Sequence, residues 1–481
     1  MNPEVTAAVI AASVSFLTLI GTLAAQYFGR RATSKQLDRT LGEQRTRTLN
    51  ERFATAAGQL GDDKPPAVRL AGVYAMAGLA DDWPENRQTC VDVLCAYLRL
   101  RYAREPGDGE TAQMALQDDR EVRHTVIRVI TAHLQKDKDA AMSWQGLNFD
   151  FTGAVFDGGG FGGAEFSGAK VSFDSAQFTG DVSFAAVGFS GAQVSFGAAQ
   201  FKNGLVSFGA AEFSGTTVDF KSAVFSGGEV SFSDAQFRAE LSGDDLDNVI
   251  RSLTPPDQLS GTPRARDPMT PEPDFIDSGS GMISFYDAKF KKGQVNFSRA
   301  KFQNGVVDFS RAEFSGAKVS FDEAEFSKGA VDFSGAEFSG ADYSAEDWRH
   351  EGAVSFSRAK FCGSTVGFHA TTFSEGTVSF YDAEFRKGLV SFGATFSGGL
   401  VSFGGAEFFS GSTVSFYHAT FSGGTVSFTA DPEHLTDAAK FSGGTVNFSD
   451  PWDWSFPPKF PWTDTPPPSV KLPKKEDQSQ A

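Results

Sequence analysis

The sequence predicts a mostly β protein, a solenoid of short strands preceded by a transmembrane helix and a small α-helical module. Three observations support this prediction. Most of the 49 phenylalanines recur at alternating spacings of five and seven residues. A run of 24 uncharged residues lies close to the start of the chain. Between these two regions, apolar residues recur with the period of amphipathic helices.

The first predicted element is a membrane anchor, assigned to residues 1–31. Val5–Phe28 contains no charged residue. A helix of that length reaches about 36 Å, enough to cross a hydrocarbon core of about 30 Å. Seven basic residues follow between Arg30 and Arg52. The positive-inside rule therefore predicts a single-pass protein of the cell membrane, with its N-terminus outside and its C-terminal bulk in the cytoplasm. The lipid bilayer is the expected partner of residues 5–28.

A cleaved signal peptide is the alternative interpretation of the same run. Leu23-Ala24-Ala25 provides a small-residue cleavage site. However, the run has no basic region ahead of it, and the basic cluster behind it opposes translocation. The anchor is therefore preferred.

The next region is predicted to be helical, with a juxtamembrane stalk at 32–60 and a small module at 61–142. Within the module, helices are expected at Ala67–Ala80, Pro84–Arg101 and Arg120–Gln135, with a low-complexity gap at Glu105–Gln117. Their predicted core consists of Leu70, Val73, Tyr74, Ala77, Leu98, Val126, Ile130 and Leu134.

Residues 51–99 contain a recognisable series of motifs. They are Glu51-Arg52-Phe53, Gln59-Leu60-Gly61, Lys64, Val68-Arg69-Leu70-Ala71-Gly72-Val73-Tyr74-Ala75, Val91, Val93-Leu94 and Ala96-Tyr97-Leu98-Arg99. This series resembles a helical module of bacterial membrane-anchored proteins, which stands there before pentapeptide repeats. Pro65-Pro66 and the long 103–118 gap depart from the compact form of that module. The resemblance implies no particular activity.

Residues 143–450 carry the phenylalanine repeat. From Phe297 to Phe338 the spacings alternate strictly between five and seven, and alanine or valine stands two residues before each phenylalanine. This 12-residue period is incompatible with an α-helix, whose period is 3.6 residues. It predicts short strands joined by tight turns, as in a solenoid. Spacings of five alone occur from Phe151 to Phe166.

This pattern is similar to that of pentapeptide-repeat proteins, which place phenylalanine or leucine at the centre of each five-residue unit and a small residue two positions earlier. The similarity covers about residues 147–448 and implies a right-handed quadrilateral β-helix. About ten coils would give a rod of about 50 Å at the spacing of paired strands. A two-faced solenoid with a 12-residue unit is the alternative, and the strict fives favour four faces. Serine and glycine are expected at the corners.

Breaks in the repeat predict insertions and an end cap. The longest insertion, 241–281, is rich in proline and aspartate and is expected to be a mobile loop. Shorter ones are Ala341–Gly352 and Ala430–Lys440. Residues 451–481 are read as a Trp/Pro-rich cap over the last coil, followed by a disordered tail. A docking peptide is the alternative role of the Trp/Pro segment.

Candidate chemistry is sparse, and we predict no catalytic, cofactor-binding or metal-binding residue. The segment Gly158-Gly-Gly160-Phe-Gly-Gly163 matches a dinucleotide fingerprint but precedes no helix. Asn296-Phe-Ser298 and Asn447-Phe-Ser449 match glycosylation acceptors by chance. Cys90 and Cys95 are expected in the helical core. The remaining candidates have two interpretations, a polar cluster on one face of the solenoid or ordinary solvent-exposed residues. They are His369, His418, Tyr286-Asp287 and Tyr381-Asp382.

Composition narrows the classes of function. The net charge is −17, and all of it lies in 143–481, which holds 25 basic and 42 acidic residues. Such a surface argues against direct nucleic-acid binding. Three cysteines suit a reducing compartment. We therefore expect no enzyme and no small-molecule substrate, but a membrane-tethered scaffold for an unknown cytoplasmic protein. The alternative is an acidic DNA mimic that regulates a DNA-binding enzyme such as gyrase, as in the quinolone-resistance branch of the pentapeptide-repeat family.

Overall fold

The computed structural model of the chain describes residues 3–61, 63–102, 109–168, 170–215, 217–238, 282–303, 305–327, 329–339, 354–430 and 437–474. In residues 1–38, side chains are described only at 16, 18–23, 26, 27 and 36. The chain divides into two compact units, Met1–Cys90 and Val91–Ala481.

The first unit is helical. Helix α1 runs without a break over Pro3–Gln59, so the predicted anchor and stalk belong to a single helix. Helix α2 spans Pro66–Asp82, and its first residue is a proline, which suits the first turn of a helix. The two helices pack closely at Gly72, where a Cβ would lie 2.9 Å from the Cβ of Gln59. A short 3₁₀ turn, Pro84–Asn86, then leads into helix α3, Arg87–Arg99.

The predicted membrane span, residues 5–28, lies within α1, but most of its side chains are outside the described part. Across the residues that the structure does describe, no helix has an apolar stretch long enough to cross a membrane.

The second unit contains helix α4, Glu110–Leu134. It begins ten residues before the predicted start and occupies much of the predicted gap at 105–117. Residues 110–121 are mostly exposed, so they carry no apolar stripe by which a helix could be recognised. The predicted core residues are mostly buried, but Tyr74 of the first unit is 57% exposed and was wrongly placed in the core.

Short strands follow from Phe149 to Lys471. In chain order from β1 to β36, they are Phe149–Asp150, Val155–Phe156, Glu165–Ser167, Lys170–Ser172, Gln177–Phe178, Val182–Ser183, Gly188–Ser190, Gln193–Ser195, Gln200–Phe201, Leu205–Ser207, Glu212–Ser214, Thr217–Asp219, Val224–Ser231, Gln236–Arg238, Met282–Ser284, Lys289–Asn296, Lys301–Gln303, Val306–Asp308, Glu313–Phe314, Lys318–Ser320, Glu325–Ser327, Ala330–Asp332, Glu337–Ser339, Val354–Ser355, Lys360–Gly367, Thr372–Glu375, Thr377–Ser379, Glu384–Ser391, Thr395–Phe396, Leu400–Ser402, Glu407–Phe408, Ser412–Ser415, Thr420–Phe421, Thr425–Ser427, Thr445–Asn447 and Val470–Lys471.

These strands coil into a β-solenoid of about eleven turns. Each strand pairs in parallel with the strand one turn later, and the pairs assemble into two sheets of 19 and 17 strands. The regular turn contains 24 residues, since Phe314 pairs with Phe338. The first turn is shorter, because Phe149 pairs with Val171. The coil is thus longer than the 20 residues of a turn built from four strict five-residue units, although it keeps four phenylalanines per turn.

The phenylalanines form four columns inside the coil, and each ring stacks on the equivalent ring of the next turn. Two inner columns meet edge to face, as Phe309 and Phe321 do at 5.6 Å and 86°. The inner columns are 151, 173, 196, 220, 285, 309, 333, 368, 392, 416 and 448, and 161, 184, 208, 232, 297, 321, 356, 380, 403, 428 and 460.

Two outer columns flank the inner pair. Their rings are nearly parallel, as at Phe290, Phe314 and Phe338, whose centroids lie 4.7 and 4.6 Å apart. The outer columns are 156, 178, 201, 225, 290, 314, 338, 373, 396 and 421, and 166, 189, 213, 237, 302, 326, 361, 385, 408 and 441. Alanines and valines fill the space beside the rings and are buried as well.

A tight corner follows most of the inner-column phenylalanines. At Phe309 the carbonyl accepts a 3.1 Å hydrogen bond from the N–H of Ala312, closing a four-residue turn. Arg311, at the third position, has a φ of 57°. A positive φ at this position alone is the signature of a type II turn. Fourteen non-glycine residues adopt a positive φ in the described chain. The expectation that glycine supplies it was wrong for these corners.

Glycine is required instead at the wide corners, which follow the outer columns. Gly204, Gly228 and Gly293 have positive φ and lie in successive turns. A Cβ on Gly293 would stand 2.2 Å from the carbonyl oxygen of Gly228. The backbones approach so closely there that no side chain fits.

At most turns, a polar residue before the inner-column phenylalanine stabilises the tight corner. Its side-chain oxygen accepts the backbone N–H of the residue after the phenylalanine, forming an Asx or Ser/Thr turn. Asp308 accepts from Ser310 at 2.8 Å, and Ser172 accepts from Asp174 at 3.3 Å. This requirement explains why serine, aspartate or asparagine recurs before these phenylalanines.

The predicted insertions lie largely outside the described residues. This applies to 241–281, to 341–352 and to 431–436 of the third insertion, as well as to the tail from 475.

Replacing a column ring should destabilise the solenoid. Phe326 is 1% exposed and stacks on Phe302 and Phe361 at 4.9 and 5.1 Å. Phe326→Ala should cost about 3–5 kcal/mol, because a large core side chain leaves a cavity. The control, Ser327→Ala, should cost little, because the neighbouring side chain points outward. Denaturant midpoints that fall equally for both variants would contradict the assigned orientation.

Candidate functional site

The first turn of the solenoid is covered by helix α4, through hydrogen bonds from its side chains to backbone carbonyls. Arg123 donates to the carbonyl of Val155 at 2.9 Å, and Thr131 donates to that of Gly160 at 2.9 Å. Gln135, just past the helix, donates to Gly162 at 2.7 Å. An open sheet edge exposes unpaired backbone groups, so these bonds satisfy part of the first turn.

Asp157 is the centre of a polar cluster beneath α4. Its carboxylate accepts the phenol of Tyr102 at 2.5 Å and lies 3.0 Å from Nε2 of His124. The guanidinium of Arg120 is 3.3 Å away. Burial by itself would raise the pKa of Asp157, but the hydrogen bonds from His124 and Tyr102 outweigh it and hold the pKa below the ordinary 3.8. The ionised carboxylate of Asp157 therefore links α4 to the first turn of the solenoid, and we call this residue the clamp.

Arg123 lies behind this clamp and is 4% exposed. Its guanidinium packs over the Tyr102 ring at 4.5 Å and also donates to the carbonyl of Leu98 at 2.6 Å. Burial lowers the pKa of Arg123. Burial also raises the pKa of Tyr102, and the hydrogen bond to Asp157 adds to that rise. These residues have the geometry of a structural joint, because each polar group is already paired within the chain.

Helix α4 packs on the glycine-rich segment 158–163. A Cβ at Gly158 would lie 2.9 Å from the ring of His124, and one at Gly159 would lie 3.0 Å from Ile127. The dinucleotide fingerprint noted in the sequence thus corresponds to a helix-packing surface. The sequence analysis did not predict the contact of Asp157 with α4. The pattern that could have indicated it is an aspartate followed by three glycines inside the repeat, Asp157 to Gly160.

The histidines and tyrosine–aspartate pairs do not form one cluster. Tyr286, His369 and His418 follow phenylalanines of the first inner column, whereas Tyr381 follows a phenylalanine of the second. The two sets therefore occupy different tight corners. Near the C-terminal end, His418 alone forms a local group: its ring lies between Tyr417 at 3.9 Å and Trp452 at 4.9 Å.

The two glycosylation-like motifs also have a structural explanation. Asn296 accepts the backbone N–H of Ser298 at 2.8 Å, and Asn447 accepts that of Ser449 at 3.0 Å. Both asparagines serve the corner turn described above. Their match to an acceptor sequence follows from the turn motif, not from chance alone.

The cysteines are all free thiols. Cys90 and Cys95 are buried, as predicted for core residues, and burial raises the pKa of Cys90 to about 11. Burial also raises the pKa of the half-buried Cys362. Raised pKa values disfavour the reactive thiolate. No group of three or more His, Cys, Asp or Glu side chains that could hold a metal ion occurs within the described part of the chain.

Charged residues of opposite sign alternate over several turns of the solenoid. At one row of tight corners, Arg299 forms two hydrogen bonds with Asp234 of the preceding turn, at 2.8 and 2.7 Å, and two turns further on Arg358 pairs with Glu323 at 3.0 Å. The hydrogen bond from Arg299 lowers the pKa of Asp234. All four side chains are about half exposed, so each pair contributes little stability.

A second row of alternating charge stands before one outer column. Its paired residues in four successive turns are Lys301, Glu325, Lys360 and Glu384, and Glu407 in the next turn repeats the negative charge. The spacing of these charges by one turn was visible in the sequence, but the insertions between turns obscured it.

The Trp/Pro segment lies over the last turns of the solenoid. Trp454 meets Phe421 edge to face at 5.2 Å and ends one outer column, and Trp462 does the same to Phe441 at 5.2 Å on the other. Phe460 ends the second inner column. By contrast, Trp452 and Phe456 of the same segment are 71% and 53% exposed.

No family model, no curated protein and no solved structure matches this chain. The regular phenylalanine spacing and stacked coils are consistent with pentapeptide repeats.

Removing the charge of the clamp should loosen α4. Asp157→Asn should destabilise the second unit by about 1–3 kcal/mol near neutral pH, because it weakens charge-assisted hydrogen bonds. The folded-state pKa of Asp157 is below 3.8. The stabilisation is therefore present above the unfolded pKa and lost as the pH falls through the folded pKa. Denaturant midpoints of the variant and the wild type should differ near neutral pH and converge once the pH has fallen below the folded-state pKa. A difference that persists in acid would argue against the clamp.

Proposed function

We propose that this protein is a membrane-tethered, cytoplasm-facing β-solenoid scaffold that binds another protein and has no catalytic role. The observation that carries the proposal is the solenoid itself: about eleven turns form two continuous sheets around a core filled with phenylalanine, alanine and valine. Repeat folds of this kind provide extended binding surfaces. The right-handed quadrilateral course that pentapeptide repeats imply is part of the proposal.

The use of polar groups supports a non-catalytic role. The recurring serine, aspartate and asparagine residues are engaged in the corner turns, as at Asp308 and Asn296. The Asp157 cluster is engaged in holding α4. β-Solenoids of this type mostly serve structural roles, and function is then carried by surface residues.

The tether is proposed from the sequence of residues 5–28 and from the backbone of α1. The uncharged run is long enough to cross a bilayer, and the helix that contains it continues unbroken to Gln59. The basic residues that follow the run favour a cytoplasmic location for the solenoid.

The distribution of charge favours the scaffold over a DNA mimic. Duplex DNA presents only negative charge along its backbone, about one per 1.7 Å of axis. Here Lys301, Glu325, Lys360 and Glu384 alternate along one row, and Arg299 and Arg358 interrupt another. Much of the negative excess lies in insertions: 241–281 holds eight acidic and three basic residues, and 341–352 holds four and one.

The topology can be tested with a phosphatase that is active only outside the cytoplasm, fused after Ala481. The fusion should be inactive, because the basic cluster holds the C-terminal bulk inside. Changing Arg30, Arg31, Lys35 and Arg39 to glutamate should weaken or invert this orientation, whereas glutamine-to-asparagine changes at Gln26 and Gln36 serve as a neutral control. Strong activity of the unmodified fusion would overturn the proposed orientation.

The scaffold role can be tested by affinity capture with the full chain in detergent micelles. A specific protein partner should be retained when the salt concentration is raised, because apolar anchors rather than long-range charge carry the contact. A DNA mimic would instead lose its partner steeply with salt and be displaced by duplex DNA. Inhibition of gyrase supercoiling at stoichiometric protein would contradict the scaffold.

A further inference from the structure

Large exposed apolar side chains are rare on the solenoid. Beyond residue 143, the described part of the chain has three, and two of them lie together near the C-terminal end: Trp452 and Phe456, 71% and 53% exposed. The third, Leu205, is 42% exposed and stands alone. Aromatic side chains exposed as a pair are characteristic of protein-binding anchors. We call Trp452 and Phe456 the C-terminal aromatic surface.

This surface is held by backbone hydrogen bonds to the solenoid. The N–H of Trp452 donates to the carbonyl of Ala419 at 2.9 Å, and that of Phe456 donates to Phe421 at 2.9 Å. The side chain between them, Trp454, points the other way and packs on the column end. The two acceptor carbonyls are two residues apart in the preceding turn, so Trp452 and Phe456 occupy hydrogen-bonding positions that share a face, although Trp454 lies between them in the sequence. The surface is therefore rigid and is separate from the cap beneath it.

One face of the Trp452 ring is covered and the rest is open. The His418 ring lies behind it at 4.9 Å and 20°, and Tyr417 supports His418 at 3.9 Å. With most of its area exposed, the indole presents its π-face to solvent. Tryptophan is the best aromatic partner for a cation, and arginine is the cation most often found there.

Carboxylates complement this ring. Asp450 lies 3.6 Å from His418 and its side chain is 59% exposed. Asp453 stands between Trp452 and Trp454, and one of its oxygens accepts both hydrogen bonds from Ser455, at 2.9 and 2.6 Å. A positively charged group that approached Trp452 would thus meet negative charge beside an aromatic face.

We propose that the C-terminal aromatic surface docks a protein segment in which an arginine or lysine stands beside an apolar side chain. The cation lies on Trp452 and bonds to Asp450, and the apolar side chain packs on Phe456. This inference rests on the proposed scaffold function and adds the surface and the chemistry of the partner.

The test pans a random peptide phage library on the full chain in detergent micelles, with counter-selection on the double variant Trp452→Ser/Phe456→Ser. Enriched peptides should carry a basic residue next to an apolar one. Their affinity, measured by fluorescence anisotropy, should fall about tenfold or more for the double variant. Asp450→Asn should weaken binding several-fold, and the matched control Leu205→Ser should leave it unchanged.

A second variant guards against a folding defect. Trp452→Arg keeps a long side chain and adds a charge that repels a cationic segment, so it should abolish binding without changing the melting temperature. Peptides without a basic residue, an absence of enrichment, or equal affinities for the double variant and the wild type would each overturn the inference.

The remaining outcomes separate this inference from the scaffold role and from a lipid contact. A cellular partner that binds the double variant as well as the wild type leaves the scaffold standing and removes this surface. Binding to vesicles of phosphatidylcholine and phosphatidylserine that depends on Trp452, without peptide binding, would assign the surface to lipid and overturn the docking proposal.

Discussion

The stacking of phenylalanine rings at the spacing of hydrogen-bonded strands governs the whole solenoid. Paired strands lie about 4.7–4.9 Å apart. Stacked rings of successive turns have the same centroid spacing, 4.7 Å for Phe285 and Phe309. Since aromatic rings prefer offset or edge-to-face contacts, the parallel columns and the perpendicular contact between inner columns satisfy both preferences at once. The hydrogen-bonded strands and the stacked rings therefore repeat at the same distance. A shift of one residue in the strand register would disrupt both the hydrogen bonds and the stacking.

The corners are a consequence of this constraint. Because the rings fix where each side of the turn begins, the chain must change direction within two residues at the tight corners. Non-glycine residues such as Arg311 and Ala210 are held at positive φ there, at a cost of about 1–2 kcal/mol each. The turn hydrogen bond from the residue before the phenylalanine and the ladder bond to the next turn offset that cost. At wide corners the backbones approach one another directly, and only glycine fits, as at Gly293.

The sequence was informative wherever one residue type repeats. The spacing of the phenylalanines predicted the solenoid, four rings per turn and an inward orientation, since each position has the same environment in every turn. It could not predict the start of α4, because Glu110 and its neighbours are solvent-exposed and carry no periodic signal. Nor could it predict the clamp at Asp157, which depends on two segments brought together by folding. Tyr74 has the spacing of a core residue in a helix but is exposed. The spacing predicts which side of the helix is apolar, but not how far around the helix the buried surface extends.

The two ends of the solenoid are closed by different chemistry, and this difference bears on function. At the first turn, polar side chains of α4 bond to carbonyls such as that of Gly160, which leaves few unused groups. At the last turns, Trp454 and Trp462 cover the rings with apolar surface. On either side of the inward-facing Trp454, the chain has outward-facing positions at which its backbone bonds to the carbonyls of Ala419 and Phe421. A solvated residue would satisfy that geometry, yet Trp452 and Phe456 occupy those positions. Capping explains one tryptophan of this segment and leaves two exposed aromatics that the stability of the solenoid does not require.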